Sequence, residues 1–231
     1  MLSSLEMEAL KLSAFIAIVA VSFSIVPGII IAWIISKKNG IISSILNILV
    51  YLPLVLPPVV IGYLLLILFS YNGFIGSFLY ENFNISVNFS WKGAAIASAV
   101  VSFPLLVRSI KLGFDTLDNK IEEAARMSGA NKLDCFFSIT LPQILPSIIT
   151  GLTLAFARCL AEFGATITFV SNIPGETQTL PLALYTATQI PGTEQAALRL
   201  VIISITLAFI SVIIAEILAK RANRHIMGNR N

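Results

Sequence analysis

Charge is the first thing this chain lacks. Only 12% of its 231 residues are Asp, Glu, Lys or Arg, 57% are hydrophobic, and the mean hydropathy is +0.90. Soluble domains carry about a quarter charged residues, so an ordinary water-soluble domain is excluded. Histidine is nearly absent too: His225 stands alone in a basic tail and reads as a solvated residue. A single histidine excludes a multi-histidine metal centre and leaves no plausible catalytic triad. The two cysteines, Cys135 and Cys159, have neither metal nor redox spacing, and Cys159 reads as a small packing residue inside an apolar run. No G-x-x-x-x-G-K-S/T phosphate loop is present, so the chain cannot cradle a nucleotide by that route. No catalytic residue, metal ligand set or bound cofactor is expected on this chain.

What the chain has in abundance is uninterrupted apolar sequence. Leu12–Ser36 and Ile41–Ser70 contain no charged residue, and each exceeds the ~20 residues that cross a bilayer as a helix. The runs are continuous rather than alternating, which excludes a membrane β-barrel. Glu6 and Glu8 stand where a signal peptide would carry basic residues, so the first run is expected to be a retained helix. Five spans follow: about Leu12–Ser36, Asn47–Phe69, Gly93–Ile110, Ile144–Val170 and Leu200–Ala219. The expected fold is an all-α polytopic membrane protein forming one transmembrane domain over 1–231.

Orientation comes from the fifteen lysines and arginines, because cytoplasmic loops collect positive charge. With the first helix running outside to inside, eleven of them fall on the inner side. Lys11, Lys92 and Arg199 fall outside, and Arg158 lies within the fourth span. The N-terminus is therefore expected outside and the C-terminus in the cytoplasm. The net charge of +3 belongs to this asymmetry and carries no sign of a nucleic-acid partner.

Two regions break the apolar pattern. "YLPLVLPPVVIG" puts Pro53, Pro57, Pro58 and Gly62 in the second span, and "VSFPLL" puts Pro104 in the third. Proline removes an amide donor and clashes with the preceding turn. Each proline taken singly is consistent with a packing kink, but three within six residues favour a broken helix lining a polar path. The outer loop, about 171–195, contains "LPLALYTATQ", too short to span and expected as a short helix at or dipping into the outer surface. That loop suits a docking surface or a pore vestibule, and a plain connector is the simpler alternative.

The other region is a water-facing insert, about 115–140, on the expected inner side. Asn119 is a candidate N-cap and Glu122 three residues on would complete a capping box. The helix runs through "KIEEAARMS", and Gly129 supplies the residue that most readily adopts the left-handed conformation just past a helix end. Ile121, Ala124, Ala125 and Ser128 share one face by the i, i+3, i+4 rule. A face of small residues anchors poorly in lipid and suits a groove on another protein. Leu133, Phe136, Phe137 and Thr140 follow at helical spacing and are expected to pack the insert onto the bundle. Pro142 suits the first turn of the next helix.

These residues carry a resemblance. Glu123-Ala124-Ala125, three residues, Gly129, nine residues, then Ile139-Thr140-Leu141-Pro142 resembles the EAA loop of binding-protein-dependent ABC importer permeases. Further stretches, among them "PLVLPPVVIGYLLL", "SFPLLVRSIK" and "AFARCLAEFGATITFVSNIPGETQTLPLALYT", are similar to molybdate transporter permease subunits over nearly the whole chain. The resemblance implies the type I ABC importer fold in a bacterial inner (cytoplasmic) membrane. It also implies a homodimer, two ATPase subunits carrying ATP and Mg, an extracytoplasmic oxyanion-binding protein, and lipid around the spans. By the same resemblance Glu122, Glu123, Ala124, Ala125, Arg126 and Gly129 form the coupling helix that docks on the ATPase. Relatives with six spans carry an extra N-terminal helix for which no counterpart precedes Leu12, and its contacts are not carried over.

Arg158 and Glu162 lie four residues apart inside the fourth span. A charge at the bilayer centre costs roughly 2.5–3.5 kcal/mol on the insertion scale, so two charges persist most cheaply facing each other or a wet cavity. A self-neutralising structural pair and a pathway role both fit. With Pro57, Pro58 and Gly164, where Gly164 and Ala165 permit close helix approach, they form the candidate translocation pathway or gate. Import of molybdate is the leading expectation and import of sulfate, thiosulfate or tungstate the neighbouring one. A secondary transporter is disfavoured, because Glu162 is the only deeply placed acid and has a cation beside it.

Overall fold

The computed structural model describes residues 3–37 and 40–228. The side chains of Asn119, Glu122, Ala215, Ala219 and residues 222–228 fall outside that description. So do the whole of Lys38 and Arg230, two of the eleven cations expected on the inner side.

The first helix, α1 (Ser4–Lys37), begins eight residues before the apolar run because a capping box starts it. Ser3 N–H donates to Glu6 Oε2 at 2.7 Å, and Glu6 N–H donates to Ser3 Oγ at 3.2 Å. Its buried stripe is built largely of small residues, Ala9, Ser13, Ala17, Ala20, Ser24, Gly28 and Ala32. Small residues let helix backbones approach closely in membranes, and here the neighbour is α5 (Trp91–Asp115).

Between them the chain forms α2 (Ile41–Val55), α3 (Pro58–Phe69) and α4 (Phe74–Phe83). The expected second span is real in length but not straight. Helices α2 and α3 are bent by 114° at Leu56-Pro57, where two consecutive prolines supply no amide to continue the helix.

Helix α5 is the centre of the fold, with Ala94, Ala97, Leu106, Val107 and Ile110 all fully enclosed. On the side away from α1 it meets the long helix that follows the insert. The insert is α6 (Asn119–Met127) and α7 (Lys132–Cys135), and a π-helical turn over Phe136–Thr140 leads into α8 (Leu141–Leu160). A Cβ on Gly113 would lie 2.6 Å from Ser147 Cβ, and one on Gly151 3.0 Å from Leu106 O. That close approach holds α8 against α5.

The expected fourth span, Ile144–Val170, is not one helix. Helix α8 stops at Leu160, Ala161–Phe163 are non-helical, and α9 (Gly164–Val170) starts afresh. Continuous hydropathy hid this break, because it is made by one carboxylate rather than by proline. The loop expected on the outer side contains α10 (Leu180–Gln189) over the expected "LPLALYTATQ", and α11 (Glu194–Gly228) ends the described chain. Leu180 and Leu182 are buried, and Leu180 packs with Ala9 and Leu200, so α10 dips back between α1 and α11.

Among the described residues, four helices are long and apolar enough to cross a membrane, or five if the bent α2–α3 pair counts as one span. One core cluster unites α1, α5 and α8 around Leu106, Ile110 and Ile144, and a second unites α3, α5 and α9 around Ile61, Val101 and Phe169. At the end of the bundle where α1 begins, buried Glu6 also meets Arg199 of α11 at 2.9 Å. One carboxylate thus starts α1 and ties it to the last helix. Glu6→Ala is expected to lower thermal stability in detergent by about 1–3 kcal/mol. The Glu6→Ala/Arg199→Ala double variant should lose little more than the worse single one. Additive losses would show that the two side chains act independently.

Candidate functional site

Two constellations carry the chemistry. The first is the insert. Helix α6 is capped by Asp118, one residue before the expected Asn119, with Lys120 N–H donating to Asp118 Oδ1 at 3.0 Å. Aspartate wins because its carboxylate accepts the orphan amide while its own backbone stays extended. The side chain of Glu122, the expected capping-box partner, lies outside the described residues. At the other end Gly129 takes φ +92°. Gly129 N–H donates to Arg126 O at 3.0 Å and Ala130 N–H to Ala125 O at 3.1 Å. This is the paired closure of a Schellman ending. Asn131 then caps α7 by accepting from Leu133 N–H and Asp134 N–H, both at 2.9 Å.

The helix so defined is held at both ends and uncovered between. Glu123, Ala124, Arg126 and Ser128 are exposed, Ala125 is half-buried, and Met127 is 90% exposed. The expected anchoring face is only half right. Phe136 packs on the core cluster shared by α1, α5 and α8, and Thr140 is buried, but Leu133 and Phe137 point outward. The π-helical turn widens the spiral, so contacts expected at regular 3.6-residue spacing are redistributed and Cys135 is buried instead. A Cβ on Gly129 would meet nothing within 4 Å, so only its backbone conformation and any docked partner constrain that position.

The second constellation lies where the two broken spans meet. Helices α3 and α9 lie side by side. A Cβ on Gly62 would lie 2.5 Å from Ala165 O, and one on Gly164 2.9 Å from Pro58 Cβ. Pro58 and Gly164, grouped from the sequence as part of one gate, are therefore in contact, as are Gly62 and Ala165, and the structure adds Thr168. Pro57 opens α3, with Val60 N–H donating to its carbonyl at 2.9 Å.

Glu162 organises the other break. Its Oε1 accepts from Ala165 N–H at 2.7 Å, which caps α9 from a position 2% exposed. Its Oε2 lies 2.8 Å from Arg158 Nη2. The pair is a direct ion pair, yet not one along a continuous helix, since α8 has already ended. The Arg158 side chain keeps 27% of its surface open while that of Glu162 keeps 1%. The carboxylate is buried structure and the guanidinium is the accessible partner. Cys159 is buried beside Ser102, with 3.3 Å between Sγ and Oγ, and turns to α5 as a packing residue.

The geometry is that of a membrane subunit with discontinuous helices at its centre and an exposed, rigidly capped helix at one end. The chain belongs to the binding-protein-dependent transport system inner membrane component family, whose profile matches residues 12–224. It is 54% identical over 215 residues, 93% of this chain and 94% of the relative, to the molybdenum transport system permease protein ModB of Escherichia coli (strain K12). To ModB of Haemophilus influenzae it is 50% identical over 222 residues, 96% of this chain and 97% of that one. Its fold matches a bacterial alginate ABC transporter crystallised with an alginate-bound periplasmic protein, with TM-score 0.75 and 18% identity over 95% of this chain and 80% of that one. The fold is that of the ABC importer permeases, and this chain is a permease subunit.

Glu162→Ala removes both the cap and the counter-ion, and is expected to cost about 3–5 kcal/mol of stability. Glu162→Gln retains an oxygen able to accept from Ala165 N–H and should lose distinctly less. Thermal unfolding in detergent separates the two variants. Equal losses would eliminate the capping role.

Proposed function

We propose that this chain is the permease through which an ABC importer moves molybdate inward, working as a homodimer with two ATPase subunits. The observation that carries this reading is end-to-end identity of 50–54% with ModB relatives. ATP and Mg belong to the ATPase partners, and the exposed α6, with Glu122, Glu123, Ala124, Ala125, Arg126 and Gly129, is assigned to their docking cleft. An extracytoplasmic oxyanion-binding protein meets the opposite end, around α4 and α10. A second copy covers part of the exposed apolar surface that includes Val55 of α2 and Val59 and Tyr63 of α3. Lipid of the bacterial inner membrane covers the rest, with the N-terminus outside and the C-terminus in the cytoplasm.

The mechanism follows from a lever. From Lys132 to Leu160 the chain runs helically for 29 residues, about 43 Å at 1.5 Å per residue. One end adjoins α6 and the other stops at Leu160, two residues before Glu162. Closure of the ATPase dimer moves α6, α8 carries that movement to the break, and the α3–α9 contact opens or closes the path. Arg158 attracts the oxyanion, and its bound carboxylate keeps the well shallow, as a conduit that must release its ion requires.

Two measurements test this. Gly129→Val puts a β-branched residue at φ +92°, a conformation costing roughly 1–2 kcal/mol for residues with a Cβ. It should preserve membrane insertion and ATPase activity while uptake falls about tenfold or more. Normal uptake would take α6 out of the coupling role. In reconstituted complexes, labelled molybdate should accumulate in an ATP-dependent manner and resist competition by excess sulfate. Preferential accumulation of sulfate would transfer the assignment to that neighbouring class.

A further inference from the structure

A groove of about 490 Å³ at the foot of α1, lined by Lys37, Arg126 and Lys132 among others, shares Arg126 with the docking helix and belongs to that surface. A different cavity stands at the opposite end of α5, where the chain turns from α3 through α4 to Trp91. It measures about 230 Å³, and four aromatic rings, Phe69, Tyr71, Tyr80 and Phe89, line it together with Asn88. Its frame is rigid. A Cβ on Gly76 would run into the Ser70 and Phe69 carbonyls, so α4 lies directly on the end of α3. Tyr71 and Tyr80 meet edge to face with centroids 4.7 Å apart. Phe89 takes φ +57°, a left-handed conformation rare for a bulky residue, and such strain persists only where the surroundings hold it. Asn88 Oδ1 is buried and has no hydrogen-bond partner among the described residues, a state that folded proteins seldom leave uncompensated.

Aromatic rings and a buried, unfilled acceptor suit a cation, and no lysine or arginine is among the described lining residues. Two carboxylates stand nearby. Glu81 follows Tyr80, and Glu176 accepts from the Trp91 N–H at 3.4 Å, two residues past Phe89. Lys92 is exposed beside Trp91 and stays out of the lining. We propose that this pocket takes a primary ammonium, the tip of a lysine side chain presented by the extracytoplasmic binding protein. A guanidinium brings five donors to a wall with one buried unfilled acceptor, and a quaternary ammonium brings none for Asn88. The ethanolamine headgroup of a lipid carries its phosphate with it, and the lining holds no cation to receive that phosphate. A lysine reaches in on a flexible four-carbon stem and leaves its backbone on the partner. The proposal rests on the reading that the binding protein meets this end of the bundle, and it names one contact that would fix it there.

The test uses the full chain with its co-purifying subunits in neutral detergent. One probe is n-butylammonium, followed by saturation-transfer NMR, and the other is the binding protein of the same system. The complex should bind n-butylammonium in preference to n-butyltrimethylammonium, and Asn88→Leu and Tyr71→Leu should each weaken it about tenfold. Tyr71 is 67% exposed, so its replacement spares the fold, and thermal unfolding checks both variants. Docking of the binding protein should weaken about tenfold in the same two variants. When lysines of the binding protein are replaced one at a time by methionine, one replacement should weaken docking as much and add nothing on the Asn88→Leu background. Equal binding of n-butylammonium by the wild type and both variants overturns the proposal, as does the absence of any lysine coupled to Asn88. Displacement of n-butylammonium by short-chain phosphatidylethanolamine at lower concentration than by the binding protein also overturns it, in favour of a lipid headgroup. Failure of the binding protein to dock on the wild-type complex removes the reading of this end instead, and the n-butylammonium measurement then decides the pocket by itself.

Discussion

Hydrocarbon offers no partner to a backbone amide, so a helix that breaks inside a membrane must satisfy the groups it releases from within the protein. The two interrupted spans meet that constraint in different ways. The first uses Pro57 and Pro58, which have no amide to satisfy, and lets the Pro57 carbonyl accept from Val60. The second uses Glu162, whose carboxylate takes the Ala165 amide at 2.7 Å while Arg158 balances its charge at 2.8 Å. Helices α3 and α9 approach closely enough that Gly62 and Gly164 have no room for a side chain, which packs the two breaks against each other.

The stretch from Lys132 to Leu160 is helical throughout, with a π-helical turn and Pro146 inside it, and it joins the insert to the break at 161–163. At one end stand a capped, uncovered helix and a cationic groove; at the other stands the ion pair. The π-helical turn at Phe136–Thr140 is the local irregularity between insert and span. It seats Cys135 and Phe136 against the bundle and leaves Leu133 and Phe137 facing out.

Much of this was legible in the residues. Long uncharged runs announced the spans, three prolines in six residues announced the first break, and Gly129 announced the end of α6, because each effect is local to the backbone that carries it. The second break escaped notice. "ARCLAEFGA" reads as uninterrupted helix, and a carboxylate that folds back to cap the next helix has the same sequence signature as one paired along a helix. The N-cap was misplaced by one residue for a similar reason. Asp118 and Asn119 are both good caps, and the choice depends on where the chain leaves α5 at Thr116.

The sequence by itself determined the class of protein, its spans, the capped insert and the candidate residues, since hydropathy, proline geometry and glycine conformation act over a few neighbouring residues. Only the tertiary structure decided which of those residues meet. Pro58 and Gly164 are more than a hundred positions apart, as are Glu6 and Arg199, and Lys37 shares its groove with Arg126 and Lys132. Contacts across such distances depend on how whole helices pack, and helix packing in a membrane is settled by the fit of small residues along entire faces.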